Sequence, residues 1–262
     1  MKALLRNQIR ENILKMAEAG QRLDGRKFDA FRDVKVELNP IEKADGSAKV
    51  TVGKSTVIAG VIVGTGTPYP DTPDKGALSV NSEFLPLADP TFESGRPSDE
   101  SIELSRVVDR GVRESKAIDM EKLVIEKGKH VHMVFIDLWV LDSDGNLIDA
   151  AGIAAIAALL NTKYRKVKIV DDAVELQKDR IPLPVAEQPV PVTTVKIGNS
   201  LFVDAIGEEE DAMDARITIT TRKDGAICAM QKGEEGVFTQ AEIETAIQSS
   251  IKNGKDIRKL LK

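Results

Sequence analysis

The sequence predicts an α+β fold built from two similar halves, and three observations carry that expectation. Each half runs strands first and a helix last, the order of a duplicated α+β unit. A gapless internal echo aligns VTVGKSTVIAGV at 50–61 with VKIGNSLFVDAI at 195–206, with apolar residues in matching places around a Gly-x-Ser turn. The proline-dense stretch PLPVAEQPVP at 182–191 marks the boundary, which divides the chain into 1–181, an N-terminal helix plus the first half, and 182–262, the second half.

Residues 2–19 read as an amphipathic helix, because Leu5, Ile9, Ile13 and Met16 recur at helical spacing and Gly20 suits the position after its end. QRLDGRKFDAFRD follows as a polar connector. Strands are expected at 34–38, 47–53 and 55–64; the last holds a continuous apolar run from Val57 to Val63, the pattern of a strand buried on both faces. Residues 64–78 read as a long loop, 98–117 as the clearest amphipathic helix, and 130–142 as a strong strand. An Ala-rich helix comes after it. Beyond the boundary the pattern gives strands at 192–197, 200–205, 215–221 and 226–231, then a closing helix over 239–261.

Composition narrows the function classes. The 42% hydrophobic content supports a substantial core, and the 30% charged content, rich in Glu and Lys with few aromatics, resembles proteins of hot-living organisms. One cysteine, Cys228, excludes an internal disulfide framework and fits a reducing compartment. The charged N-terminus lacks the apolar core of a signal peptide, and no segment reaches the roughly 18 apolar residues of a membrane helix. A soluble, cytoplasmic protein with no membrane partner is expected. A net charge of −5 means that any nucleic-acid contact must come from a local patch.

Such a patch is visible on the 98–117 helix. Arg106, Arg110 and Arg113 stand at i, i+4 and i+7 and share one stripe, opposite Leu104, Val108 and Val112. A row of forked donors on a core-backed helix suits the phosphates of a nucleic-acid strand. The alternative is a solvated face whose arginines Glu103 and Asp109 partly neutralise. Arg96, in a Gly/Pro loop ahead of the helix, would extend the patch. The acidic run DAIGEEEDAMDA reads either as carboxylates for Mg²⁺ or acid–base work, or as a charged loop. His130 and His132 face the same side of a strand with no third ligand nearby, so they read as structural and no metal is expected. Cys228 reads as a small buried hydrophobe, and Phe135 and Trp139 as core residues.

The stretch DSDGNLIDAAGIAAIAALLN at 142–161 has the outline of an anion cradle: a glycine turn feeding a helix N-terminus. Its chemistry is opposed to that outline. No Arg or Lys lies in it, and Asp149 is expected to cap the helix, a role that contributes about 1 kcal/mol. A carboxylate there would repel a phosphate ~5 Å away by roughly 3 kcal/mol at an effective dielectric near ~20.

Together these residues resemble the RNase PH family, and in particular the non-catalytic RNase-PH-type ring subunits of archaeal exosomes. The resemblance spans nearly the whole chain. It is carried by RLDGR at 22–26, ADGSAKVTVGKSTVIAGV at 44–61, ELSRVVDRGVRESKAIDMEKL at 103–123, DLWVLDSDGNLIDAAGIAAIAAL at 137–159 and LFVDAIGEEEDAMDA at 201–215. Active members carry an Asp-Gly-Gly-Thr-Arg-Thr-Ala-like turn whose Arg holds the attacking phosphate. Here Ile148 takes the Arg position and Asp149 that of the following Thr. Two family acids six residues apart match Glu208 and Asp214. The resemblance implies a duplicated RNase PH-type fold around a pseudo-twofold axis, and a pseudoenzyme with no catalytic residues, metal or cofactor of its own. It also implies pairing with a catalytic RNase PH-type paralogue, three such pairs in a hexameric ring, RNA-binding cap subunits, and single-stranded RNA gripped by Arg96, Arg106, Arg110 and Arg113. The alternative it leaves open is a self-sufficient phosphate-dependent 3′→5′ exoribonuclease that uses the surviving acids.

Overall fold

The computed structural model describes residues 2–170 and 173–261, with side chains for 8–170 and 174–261. Helix α1 (Lys2–Glu18) places Ile13 and Ala17 in a core, while the side chain of Leu5 lies outside the described residues. Gly20 ends it with a positive φ, as Gln21 N–H donates to the Met16 carbonyl at 2.8 Å.

The first half is a six-stranded sheet of β1 (Val34–Leu38), β2 (Gly46–Val52), β3 (Ser55–Gly66), β4 (Ala77–Phe84), β5 (Val124–Glu126) and β6 (His130–Asp142). Its main order is β1-β2-β3-β6-β4, and β5 also pairs with β6. Helix α2 (Asp99–Glu114) lies beside β4, and α3 (Leu147–Leu160) crosses the inner face of β2 and β3. Ser98 caps α2 by accepting the Ser101 N–H at 3.2 Å. A two-stranded hairpin, β7 (Lys163–Val170) with β8 (Ala173–Pro182), follows α3. The second half is a four-stranded antiparallel sheet, ordered β10-β9-β11-β12, of β9 (Val190–Ile197), β10 (Ser200–Val203), β11 (Ala215–Thr221) and β12 (Ile227–Gly233). The short α4 (Gly207–Asp211) and the closing α5 (Gln240–Arg258) complete it, with Thr239 capping α5.

Helix α3 explains the arrangement. It is apolar all round because it is covered all round, by β2 and β3 on one side and β9 on the other. Every residue from Asp149 to Leu159 is buried. A side chain at Gly152 would place its Cβ 2.4 Å from Pro191 Cγ, so only glycine lets the helix approach β9 this closely.

The internal echo is structural. In β2–β3, Val52 pairs with Ser55 around Gly53 (φ 58°); in β9–β10, Ile197 pairs with Ser200 around Gly198 (φ 60°). Both are two-residue hairpins whose first turn residue needs positive φ, which glycine supplies without strain. The α1 residues Ile13 and Ala17 pack on Val195, Ile197 and Phe202, so the N-terminal helix shares its core with the second half.

Three expectations are corrected. The run Val57–Val63 is buried on one face only: Val57, Ala59 and Val61 face α3, while Ile62 is 52% exposed. Trp139 stands across from Ile58 on that outer face and is 43% exposed, so it is no core residue. Cys228 is half-buried rather than buried, with its thiol directed at the Thr220 carbonyl. Strands β4, β5, β7 and β8 lie where the sequence reading places none. Among the described residues, no helix is long and apolar enough to cross a membrane.

Candidate functional site

The turn ahead of α3 is held from three sides. Ser55 Oγ donates to the Gly145 carbonyl at 2.6 Å and accepts from Asp144 N–H at 2.9 Å. Arg32 donates to the carbonyls of Asp144 at 2.7 Å and Gly145 at 3.2 Å. The same guanidinium binds both carboxylate oxygens of the fully buried Asp204, at 2.9 and 2.8 Å. Hydrogen bonding and attraction to Asp204 outweigh the burial that opposes the charged form, and the Arg32 pKa lies above its usual value.

Asp149 is not the cap. The cap position belongs to Asn146 in the left-handed region (φ 54°, ψ 43°), and Asp149 is the third helical residue. Its carboxylate points across to β9, accepting Thr193 N–H and Oγ–H at 2.8 Å each and Asn146 Nδ2–H at 2.8 Å. Burial pushes its pKa up to about 7, despite those three donors. The carboxyl group that stands at the turn comes from elsewhere. Glu210 Oε1 accepts the Asn146 N–H at 2.8 Å, so the chain's own carboxylate takes a donor of the turn that leads into α3. Burial also raises Glu210 to about 7. Ile148 faces α2 in a narrow cleft with Gly111, Gly152 and Pro191.

These two acids set a pH dependence. A carboxylate whose folded pKa exceeds its unfolded value binds more protons when folded, so stability falls as pH rises from about 4 to about 7. Asn at position 149 mimics the protonated acid: its oxygen accepts from Thr193 N–H, and its amide donates to Thr193 Oγ, which then donates to Thr218 Oγ at 2.8 Å. Asp149→Asn is therefore expected to fold and to flatten the decline. Thermal midpoints of both proteins between pH 5 and 8 check this; a variant that declines as steeply as the parent contradicts it.

The acidic run is neither an open loop nor a metal cluster. Glu209 is buried against Arg22 in a bidentate pair at 2.9 and 2.6 Å, and Asp204 holds Arg26 and Arg32. Asp214 pairs with Arg10 at 2.6 Å and accepts Gly198 N–H at 2.7 Å, whereas Glu208 is exposed. Among the described residues, no three His, Cys, Asp or Glu side chains are placed to hold a metal. His132 is buried edge-on to Tyr164 at 4.7 Å, and burial lowers its pKa. The sequence reading missed Arg22, Arg26 and Arg32 as the partners of these acids. Their signal was the arginine-bearing connector facing a run of opposite charge.

On α2 the structure brings Arg106, Arg110 and Arg113 together. All three are exposed and line one groove of about 290 Å³ against Leu78–Val80 of β4. Arg113 pairs with Asp109 at 2.7 Å, and Arg110 donates to the neutral Gln231 Oε1 at 2.8 Å. Arg106 makes no hydrogen bond or ion pair among the described residues. Glu103 does not neutralise the stripe, because it pairs with Arg216 of β11. Arg96 lies apart from the three, in a separate hollow of about 640 Å³ with Ser82–Phe84 at the other end of β4.

Comparison with known proteins agrees with this architecture. Residues 30–165 match domain 1 of the 3′ exoribonuclease family, RNase PH type, and residues 187–253 match domain 2. The chain is 50% identical over 257 residues to the Exosome complex component Rrp42 of Thermococcus kodakarensis, covering 97% of this chain and 94% of that one. It is 51% identical over 253 residues to the Rrp42 component of Thermoplasma volcanium, covering 96% and 95%. A solved Archaeoglobus fulgidus exosome with RNA bound to the active site holds a chain 45% identical, with a TM-score of 0.90 and 99% and 100% coverage.

Proposed function

This chain belongs to the RNase PH-type 3′ exoribonuclease family, and we propose that it is a non-catalytic, RNA-contacting subunit of an archaeal exosome. The observation that carries the reading is the Glu210–Asn146 hydrogen bond at the turn, beside Ile148 where active relatives place an arginine. A phosphate arriving there meets a carboxylate on a donor it would use, and the nearby Arg32 is already committed to Asp204. Without bound phosphate, phosphorolysis has no nucleophile. Asp214 is committed to Arg10 and the Gly198 N–H while Glu208 stands exposed, which supports the same reading over a self-sufficient enzyme.

In this role the chain, divided near residue 182, pairs with a catalytic RNase PH-type paralogue. Three pairs close a hexameric ring in the cytoplasm, carrying RNA-binding cap subunits. The α2 arginines and Arg96 contribute positive charge to single-stranded RNA, while the chemistry is done by the partner.

The test is an assay of the purified chain with single-stranded RNA, inorganic phosphate and Mg²⁺, alone and after assembly with the paralogue. No nucleoside diphosphate is expected from the chain alone, and release from the assembled complex. Diphosphate released by the chain alone would falsify the reading.

A further inference from the structure

The arginine groove does not end at Arg113. Arg113 and Leu78 also line a second hollow of about 500 Å³, which continues along β4 toward the loop before it. Its floor is apolar, with Leu78 buried and Met120 partly buried. Two exposed cations, Lys75 and Lys116, line it together with Arg113. Its one aromatic side chain is Tyr69, 53% exposed in a chain with only two tyrosines and one tryptophan.

The loop that presents Tyr69 is built rather than slack. The Tyr69 carbonyl accepts Thr72 N–H at 3.0 Å, and Gly76 N–H donates to the Met120 carbonyl at 2.8 Å. A Cβ at Gly76 would sit 2.6 Å from the Leu123 Cβ, so the loop closes against the floor only with glycine there. Of the acids lining the hollow, Asp119 is paired with Lys122 at 2.9 Å, and Glu121 remains as an exposed acceptor.

We propose that this hollow takes one nucleotide of the RNA strand running along α2, with its base stacked on Tyr69 over Leu78 and Met120 and its phosphates on Arg113, Lys116 and Lys75. An aromatic face beside a row of cations is how single strands are held without regard to sequence. The hollow shares Leu78 and Arg113 with the arginine groove, so a strand lying on Arg106 and Arg110 has Arg113 as the next contact on the way to it. Glu121 offers an acceptor for an exocyclic amino group at the base edge. The proposal rests on the RNA-contact reading of α2.

The experiment compares wild type, Tyr69→Ala and Tyr69→Phe, each assembled with the catalytic paralogue, binding a labelled single-stranded oligoadenylate and an abasic strand of equal length. Tyr69→Ala is expected to weaken oligoadenylate binding by about 5- to 150-fold, the range of one lost base stack. Tyr69→Phe keeps the affinity, and the abasic strand binds all three alike. The proposal is overturned by unchanged oligoadenylate binding in Tyr69→Ala, by equal losses on both strands, or by failure of that variant to assemble, which would make the hollow a protein contact. Arg106→Glu is run in parallel. If it leaves both strands bound as before, the α2 reading falls, while the Tyr69 contrast between the strands still decides the hollow.

Discussion

Arg22→Ala is expected to cost about 3–5 kcal/mol of folding stability, because it leaves a buried carboxylate without its partner. The Arg22 and Glu209 side chains are 0% and 1% exposed. The guanidinium also donates to the carbonyls of Val203 at 3.0 Å and Asp204 at 2.9 Å, and its carbon lies 5.5 Å from the centre of the Phe202 ring. One side chain from the connector after α1 thus closes the end of β10 and the turn into α4. Against a typical margin of about 5–15 kcal/mol, the loss is large. Urea unfolding of the chain checks it, with Glu209→Ala expected to lose a similar amount. The double variant Arg22→Met/Glu209→Leu should recover most of the loss, since an apolar pair leaves no buried charge behind. A double variant as unstable as either single one would show that the carbonyl contacts, not the ion pair, carry the effect.

The distances in that network explain what sequence could and could not reveal. Hairpin β2–β3 was legible because its alternation and its turn are local: Val50, Val52, Val57 and Ala59 point inward around a glycine. Helix α2 was legible for the same reason. Strand β4 was not, because ALSVNSEF shows no clean alternation and joins the sheet only by pairing in parallel with β6, some fifty residues on. Strands β7 and β8 carry charges along both faces and bury little beyond Tyr164 among the described residues, so they read as a connector. The outer face of β3 and β6 is a third case. Its apolar residues Ile58, Ile62 and Trp139 promised burial that this chain alone does not provide.

The site divides along the same line. That Ile148 removes a cation could be read directly from the turn. Where the opposing negative charge sits could not, since Asp149 turns away to Thr193, 44 residues distant, and Glu210 arrives from 64 residues on. The sequence therefore placed a carboxylate at the turn but assigned the wrong one to it. The arginine stripe was placed correctly on one face of α2, yet the pairings that tune its charge come from other elements. Glu103 is drawn off by Arg216, and Gln231 gives Arg110 a neutral partner.

That tuning sets the second large effect. Arg113 is matched by Asp109, an exposed i,i+4 pair that competes with a phosphate for it, whereas Arg106 and Arg110 have no carboxylate partner among the described residues. Charge reversal at these two, Arg106→Glu with Arg110→Glu, is expected to weaken single-stranded RNA binding by the assembled complex on the order of 10- to 100-fold. Neither side chain is buried, so folding and assembly should be unchanged. The salt dependence separates this from a structural effect. Each phosphate contact on a single strand contributes about 0.7 to the slope of log K against log salt, so losing two should flatten it by about 1.4. Affinity measured across a salt series, with assembly followed by light scattering, gives both quantities. If affinity and slope both stay at the wild-type values, α2 carries a solvated face and the chain serves its partner as scaffold alone. If affinity falls while the slope is unchanged, the arginines act through the shape of the groove and not through phosphate.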